Sequence, residues 1–191
     1  MIQESRLEKL KQIQDYIKNK IHQKEEVNLI FICVQNSRRS HLAQVLAQHA
    51  AIQNNFSNVN CFSGGVEVTR IHPNTIEAFK RFGFSIIQKS EGDNPLFEID
   101  IEGIKLPLYS KNFEEVTKQL KSFAAIMVCS ETETNCPYVP NAEKKILLPY
   151  DDPKIADNTI NPTDEYIRVA NIIKEEMQYI FSNIKELAIV R

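Results

Sequence analysis

The chain has 191 residues, 42% hydrophobic and 25% charged, which is the balance of a soluble globular protein of about one domain. A formal net charge of −2 argues against nucleic acid or an acidic membrane as the main partner. We find no secretory signal and no apolar run long enough to span a bilayer, so we expect a cytoplasmic protein. In that reducing compartment, the four cysteines are more often catalytic, redox-active or metal-binding than structural.

The first segment, residues 2–22, has the pattern of an amphipathic helix. Apolar residues recur there at spacings of three and four, namely Leu7, Leu10, Ile13, Ile17 and Ile21. We interpret residues 1–26 as an N-terminal extension ahead of a catalytic domain at 27–191. The helix either docks on that domain or pairs with a second copy, so a homodimer through this helix stays open.

Four short runs rich in apolar and β-branched residues predict buried strands, at 27–33, 58–63, 124–129 and 145–148. Helical patterns occupy 39–51, 74–82 and 164–187. The last helix is expected to bury one face, made of Tyr166, Val169, Ile172, Ile173, Met177, Ile180 and Ile184. Strands alternating with helices predict a three-layer α/β/α fold around a four-stranded parallel sheet. Such sheets bind ligands in the loops at the carboxyl ends of their strands.

One segment, at about 93–110, does not fit this alternation. Two arms with period two, residues 95–101 and 104–109, flank a Glu102-Gly103 turn. Pro107 would confine the second arm to an edge position. We predict a β-hairpin inserted at the side of the domain, where it could cover the mouth of the site or carry a homodimer contact.

The loop after the first strand carries the main candidate chemistry. Its backbone N–H groups and the following helix N-terminus can form an anion cradle, with the Cys33 thiol at its mouth as nucleophile. Arg39 can hold a tetrahedral oxyanion through two parallel hydrogen bonds, and the Ser40 hydroxyl can hydrogen-bond the thiolate. The candidate oxyanion-binding residues are Val34, Gln35, Asn36, Ser37, Arg38, Arg39 and Ser40. The alternative is a buried strand-end cysteine beside two solvated arginines.

A second candidate site follows the third strand. Cys129 and Cys136, seven residues apart, suggest a thiol–disulfide relay at the edge of the sheet where Cys33 lies. A zinc site is the alternative, but the spacing is wide and no histidine lies nearby in sequence. The four histidines show no ligand spacing, and we expect surface or capping roles for His22, His41, His49 and His72.

A third candidate follows the fourth strand, where the chain reads Tyr150-Asp151-Asp152-Pro153. The neighbouring carboxylate and partial burial could keep one carboxyl group protonated there. That group, for which Asp152 is the candidate, could then donate a proton to a leaving oxygen. The alternative is an Asp-Pro turn that only introduces the last helix.

Together these residues resemble the thioredoxin-coupled arsenate reductases, relatives of the low-molecular-weight protein tyrosine phosphatases. The resemblance runs from about residue 27 to 184 and leaves out the N-terminal helix and the hairpin. It rests on the order of elements, the Cys-x5-Arg-Ser loop, the two later cysteines and the Asp-Asp-Pro. It also includes Ser63-Gly64-Gly65-Val66-Glu67 and His72-Pro73-Asn74 after the second strand.

The resemblance implies a mechanism. Cys33 would attack the arsenic of arsenate held by the loop and Arg39, while Asp152 protonates the departing oxygen. Cys129 would then attack Cys33 and expel arsenite, leaving a disulfide that Cys136 resolves. Thioredoxin would reduce the final disulfide as an external reductant, and no bound cofactor or metal is implied.

Some positions differ from the family's usual pattern. Gln35 stands where the commonest loop has glycine, and Arg38 replaces a small residue or cysteine, adding positive charge near the anion. Gln44 occupies the position of the family's potassium-ligand glutamate, so dependence on that ion is not expected. Asn36 matches the loop-shaping asparagine, and Cys61, inside a strand, is most simply a buried small residue.

Two other functions remain open at this point. A phosphatase acting on phosphotyrosine or small phosphoesters would use the same nucleophile through a phosphocysteine intermediate, with no redox step. The second cysteine pair and Lys154, where phosphatases carry an aromatic residue after the Asp-Pro, favour the reductase. A third hypothesis is an oxyanion-binding protein without catalysis.

Overall fold

The computed structural model describes residues 2–129 and 138–189, the last five of these as backbone only. The helices are α1 Glu4–His22, α2 Arg39–Gln53, α3 Pro73–Arg81, α4 Phe113–Thr117 and α5 Pro162–Ile189, with a 3-10 turn at Pro153–Ala156. The strands are β1 Val27–Cys33, β2 Val59–Gly65, β3 Ser85–Gln88, β4 Phe97–Ile101, β5 Ile104–Leu108, β6 Ala124–Met127 and β7 Lys144–Leu147. None of the helices within the described ranges is long and apolar enough to cross a membrane.

The main sheet is four-stranded and parallel, in the order β2-β1-β6-β7, as predicted. Alternate side chains of β1 enter two separate cores because successive residues of a strand face opposite ways. Phe31 belongs to a core that also contains residues of α1, α2, α3 and α5, while Ile32 belongs to a second core with Phe113 and Phe123. Helices on both faces complete the three layers and explain why every residue of β1 is buried.

The inserted hairpin is present and belongs to a small antiparallel sheet in the order β3-β4-β5. Its turn places Glu102 and Gly103 at φ 51° and 89°, the left-handed region that two-residue hairpin turns require. Pro107 lies on the edge strand β5, as predicted. Strand β3 was not predicted, because its four largely exposed residues show no clear alternation. The insert joins the larger core through Ile99 and other side chains.

The N-terminal helix α1 is docked on the rest of the chain. Leu10, Ile13 and Ile17 are at most 1% exposed and lie in the larger core. On the neighbouring α5, the predicted buried face is confirmed except at Ile172, which is 38% exposed. That position is adjacent to the buried Ile173 in sequence and therefore turns away from the core.

Because Leu10 is fully buried, we expect Leu10→Ala to lower the free energy of unfolding by about 2–4 kcal/mol. The exposed Lys11→Ala on the same helix should change it by less than about 0.5 kcal/mol. Urea unfolding followed by circular dichroism measures both variants. Equal stabilities would mean that α1 adds nothing to the core.

Candidate active site

The candidate nucleophile lies at the end of β1, where the chain turns into α2. Cys33 is 4% exposed, and its Sγ lies 3.0 Å from Ser40 Oγ. The Asn36 Nδ2 amide donates to the same Ser40 oxygen at 2.8 Å. Because that oxygen accepts from Asn36, the Ser40 hydroxyl proton is available to the cysteine sulfur.

Between Cys33 and α2, the loop is held from outside through its carbonyl groups. The Val34 carbonyl accepts from Glu67 N at 2.9 Å. The Gln35 carbonyl accepts from Thr69 Oγ1 at 3.1 Å and from Ser110 Oγ at 3.0 Å. The Ser37 carbonyl accepts from His72 N at 3.1 Å and from Thr75 Oγ1 at 3.2 Å. With these carbonyls turned outward, successive N–H groups are left to face the inside of the loop. Within the described ranges, no protein group accepts a hydrogen bond from the N–H groups of residues 35–38. The loop can therefore hold a tetrahedral oxyanion.

Asn36 and Gly65 set the shape of this loop. Asn36 has φ 45°, in the left-handed region that asparagine tolerates, and its Oδ1 accepts from Lys111 N at 2.9 Å. Gly65, at the end of β2, lies so close that a Cβ there would come within 2.6 Å of Asn36 N and 2.8 Å of Val34 O. The Gly64-Gly65 pair that ends the second strand is thus explained by close backbone approach, to Phe113 at Gly64 and to the loop at Gly65.

Arg39 and Asp152 are brought together, as the sequence predicted. Arg39 is buried and donates from one terminal nitrogen to Asp152 Oδ2 at 2.7 Å and from the other to Tyr150 O at 3.3 Å. Asp151 does not face Asp152: it is exposed and pairs with Arg168 at 2.8 Å. The expectation that a carboxylate lies against Asp152 is therefore wrong, since the charged group beside Asp152 is the Arg39 guanidinium.

Arg38 places its side chain away from the loop. Its Nε donates to the Tyr166 hydroxyl at 2.7 Å and its terminal nitrogen to Asp157 Oδ2 at 2.6 Å. Burial alone would raise the pKa of Asp157, but the Tyr166 hydroxyl and the Arg38 charge lower it below its usual value. The expected extra positive charge near the anion is thus compensated by Asp157, and Arg38 can reach the loop's interior only through its backbone N–H.

Cys129 lies beside the strand that ends in Cys33. It is fully buried just beyond β6, and its thiol contacts Ile32 O at 3.8 Å. Cys136 falls outside the described residues, so the proposed pairing of the later cysteines stays a prediction. Cys61 is buried inside β2, as predicted, and burial raises the pKa of its thiol. It pairs in register with Leu29, four residues before Cys33 in the adjacent strand.

Comparison with known proteins assigns the chain to a family. Residues 28–188 match the low molecular weight phosphotyrosine protein phosphatase family. The chain belongs to this family. An arsenate reductase of Staphylococcus aureus strain Newman is 29% identical over 146 residues, which cover 76% of this chain and 89% of that protein.

Solved structures of the same fold agree with this assignment. A low molecular weight protein tyrosine phosphatase from Bacillus subtilis superposes with a TM-score of 0.57 at 17% identity, over 84% of this chain and 98% of that one. An arsenate reductase from Archaeoglobus fulgidus superposes with a TM-score of 0.53 at 17% identity, over 81% and 98% of the two chains. These likenesses establish the phosphatase-family fold.

A buried polar cluster behind the phosphatase-family loop was not predicted. Lys111, directly after the inserted sheet, is 9% exposed, and its Nζ lies 3.4 Å from Ser63 Oγ and 3.2 Å from Tyr109 O. Ser63 in turn donates to Gln44 Oε1 at 2.6 Å. Gln44, at the expected potassium-ligand position, therefore shares its partner Ser63 with the Lys111 ammonium. The only feature of the sequence that could have pointed to this cluster is that Lys111 directly follows the predicted hairpin.

Two of the histidines have defined positions around this loop. His72 caps α3 by accepting from Asn74 N at 3.3 Å, as expected of a capping residue. The surface or capping role expected for His41 is wrong, because this side chain is fully buried with Nδ1 3.3 Å from Ser63 Oγ. Burial, and then the Lys111 charge, hold the pKa of His41 well below its usual value. Among the described residues, no group of three or more potential ligand side chains could hold a metal ion.

The burial of the Lys111 ammonium predicts how the free energy of unfolding depends on pH. Burial lowers the pKa of Lys111 to about 8, while an unfolded lysine titrates near its ordinary, higher value. Between about pH 8 and 10 the unfolded chain therefore binds more protons at this site, so the free energy of unfolding rises with pH. We expect a gain of up to about 1.4 kcal/mol per pH unit relative to Lys111→Met, which cannot titrate. Urea unfolding across that window measures it, and parallel curves would contradict it.

Proposed function

We propose that the chain is an arsenate reductase with a three-cysteine relay. The observation that carries this proposal is the position of a second buried cysteine, Cys129, beside the strand that ends in the nucleophile Cys33. The oxyanion loop, Arg39 and Asp152 supply what binding and leaving-group departure need. The relative from Staphylococcus aureus, an arsenate reductase, supports the same assignment.

The first step uses the loop as a cradle for arsenate. Inward N–H groups and the Arg39 fork hold three oxygens of the tetrahedral ion, leaving the fourth opposite the Cys33 sulfur. The Cys33 thiolate then forms a bond to arsenic, and one arsenic–oxygen bond breaks with its electron pair leaving on oxygen. That oxygen is the protonated one of hydrogen arsenate. When Arg39 turns to the oxyanion, Asp152 takes up the proton released by the Cys33 thiol and gives it to the leaving oxygen, so water departs.

The next steps carry the two electrons. The Cys129 thiolate attacks Cys33 Sγ, and the electron pair of the sulfur–arsenic bond moves to arsenic, which becomes arsenic(III) and leaves as arsenite. A Cys33–Cys129 disulfide remains. The Cys136 thiolate then attacks Cys129, which frees Cys33 and leaves a Cys129–Cys136 disulfide. Thioredoxin, as the external dithiol, reduces that disulfide and returns all three thiols.

A phosphatase is the second candidate function, and one observation favours it. Cys33, Arg39 and Asp152 lie at one edge of the sheet and would supply a nucleophile, an anion clamp and a proton donor without the later cysteines. Such a site can hydrolyse an aryl phosphate through a phosphocysteine that water then cleaves. A protein that binds the oxyanion without turnover is the third alternative.

The test is arsenate-dependent NADPH consumption with thioredoxin and thioredoxin reductase, beside hydrolysis of a chromogenic aryl phosphate. We expect Cys33→Ser to abolish both activities, and Cys136→Ser to stop multiple turnover of arsenate while sparing hydrolysis. Cys61→Ser is the matched control, since this thiol is buried inside β2, away from the relay, and should leave arsenate turnover within about twofold of wild type.

Each other outcome selects a different function. Arsenate reduction that survives in Cys136→Ser would contradict the relay. Hydrolysis without any arsenate reduction would make the protein a phosphatase, and tight phosphate binding without turnover would make it a binding protein.

A further inference from the structure

Two consecutive arginines hold the two ends of one short segment. Arg39 bonds Asp152, and Arg38 bonds Asp157, five residues further along. The segment between these aspartates is residues 152–157, which we name the aspartate segment. It contains the 3-10 turn and links β7 to α5.

The first end of the aspartate segment depends on Asp152. Its Oδ1 accepts from Lys154 N at 3.0 Å and so caps the 3-10 turn, while its Oδ2 accepts from Arg39. The proton donor of the proposed reaction is therefore held by the same arginine that would clamp the oxyanion. If Arg39 gives donors to the oxyanion, its hold on Asp152 weakens.

The second end depends on a network that does not face the loop's interior. Asp157 pairs with Arg38 and also accepts from the Tyr166 hydroxyl at 2.5 Å. Tyr166 is fully buried in α5, and the ring of His72 stacks on it at 5.4 Å between centroids. The side chains of Arg38 and Asp157 are only 11% and 17% exposed, so solvent screens this pair much less than a surface pair.

We propose that Arg38 is a positioning residue that keeps the aspartate segment docked, with Asp152 in reach of the leaving oxygen, while Arg39 holds the oxyanion. This inference rests on the proposed function. The two arginines differ in what they bind. Arg39 would divide its donors between the oxyanion and the Asp152 carboxylate, whereas Arg38 would keep its bond to Asp157 whether or not an oxyanion occupies the loop. An alanine or small residue in place of Arg38 would remove the charged arginine from the second end, where the Tyr166 hydroxyl would still donate to Asp157, and would leave the first end on the contact that the oxyanion weakens.

The test is amide hydrogen exchange in the aspartate segment, measured by NMR with and without saturating inorganic phosphate. The reporters are the N–H groups of Lys154 and Asp157, which bond Asp152 Oδ1 and Lys154 O. In wild type we expect phosphate to leave their exchange unchanged within about twofold. In Arg38→Met we expect exchange close to wild type without phosphate, and at least about fivefold faster with it.

Two further variants keep the experiment decisive. Asp157→Asn breaks the same pair from the other side and should reproduce the effect of Arg38→Met. Arg168→Met is the matched control: it removes an arginine from the neighbouring Asp151, outside the aspartate segment, and should behave as wild type. Exchange in Arg38→Met that does not respond to phosphate, or that is already fast without it, would overturn the proposal.

Turnover provides a second readout that general loss of structure would not produce. We expect Arg38→Met to lower kcat for arsenate about tenfold while its dissociation constant for phosphate stays within about twofold of wild type. A kcat equal to that of Arg168→Met would overturn the proposal. If wild type does not bind phosphate, the oxyanion site itself is wrong. If wild type binds phosphate but does not turn over arsenate, only the proposed function is wrong, because the exchange experiment does not depend on catalysis.

Discussion

The site depends on one constraint: the loop after β1 can turn its N–H groups inward only if its carbonyl groups are bound from outside. Peptide C=O and N–H groups point in opposite directions, so each external donor to Val34, Gln35 or Ser37 also aims an amide at the interior. Those donors come from the segment after β2, from α3 and from the insert. The fold thus uses ordinary loop packing to turn a row of N–H groups toward the inside of the loop.

The inserted sheet takes part in this arrangement. Immediately after β5, Ser110 holds the Gln35 carbonyl and the Lys111 backbone holds the Asn36 side chain. A continuous set of hydrogen bonds then runs from Lys111 through Asn36 and Ser40 to the sulfur of Cys33. The insert supports Cys33 from behind, a role that its position in the sequence did not indicate.

The sequence allowed the main sheet and most helices to be predicted, because β1 is continuously apolar and α1 has clear helical spacing. It also predicted that Cys33, Arg39 and Asp152 lie at one edge of the sheet, since strand-end loops of a parallel sheet meet there. It could not show where long side chains point. Arg38 turns to Asp157 and Lys111 turns inward only because of partners far away in sequence.

The contact of α1 with the rest of the chain has a consequence for comparing relatives. Arg6 pairs with the buried Glu176, lies over the ring of Tyr150 and donates to Pro149 O, so the first helix braces the strand end that leads to Asp152. Glu176 also accepts from the Tyr150 hydroxyl and would be a buried carboxylate without a cation if Arg6 were absent. In family members without such a helix, we therefore expect a residue other than an acid at the position of Glu176.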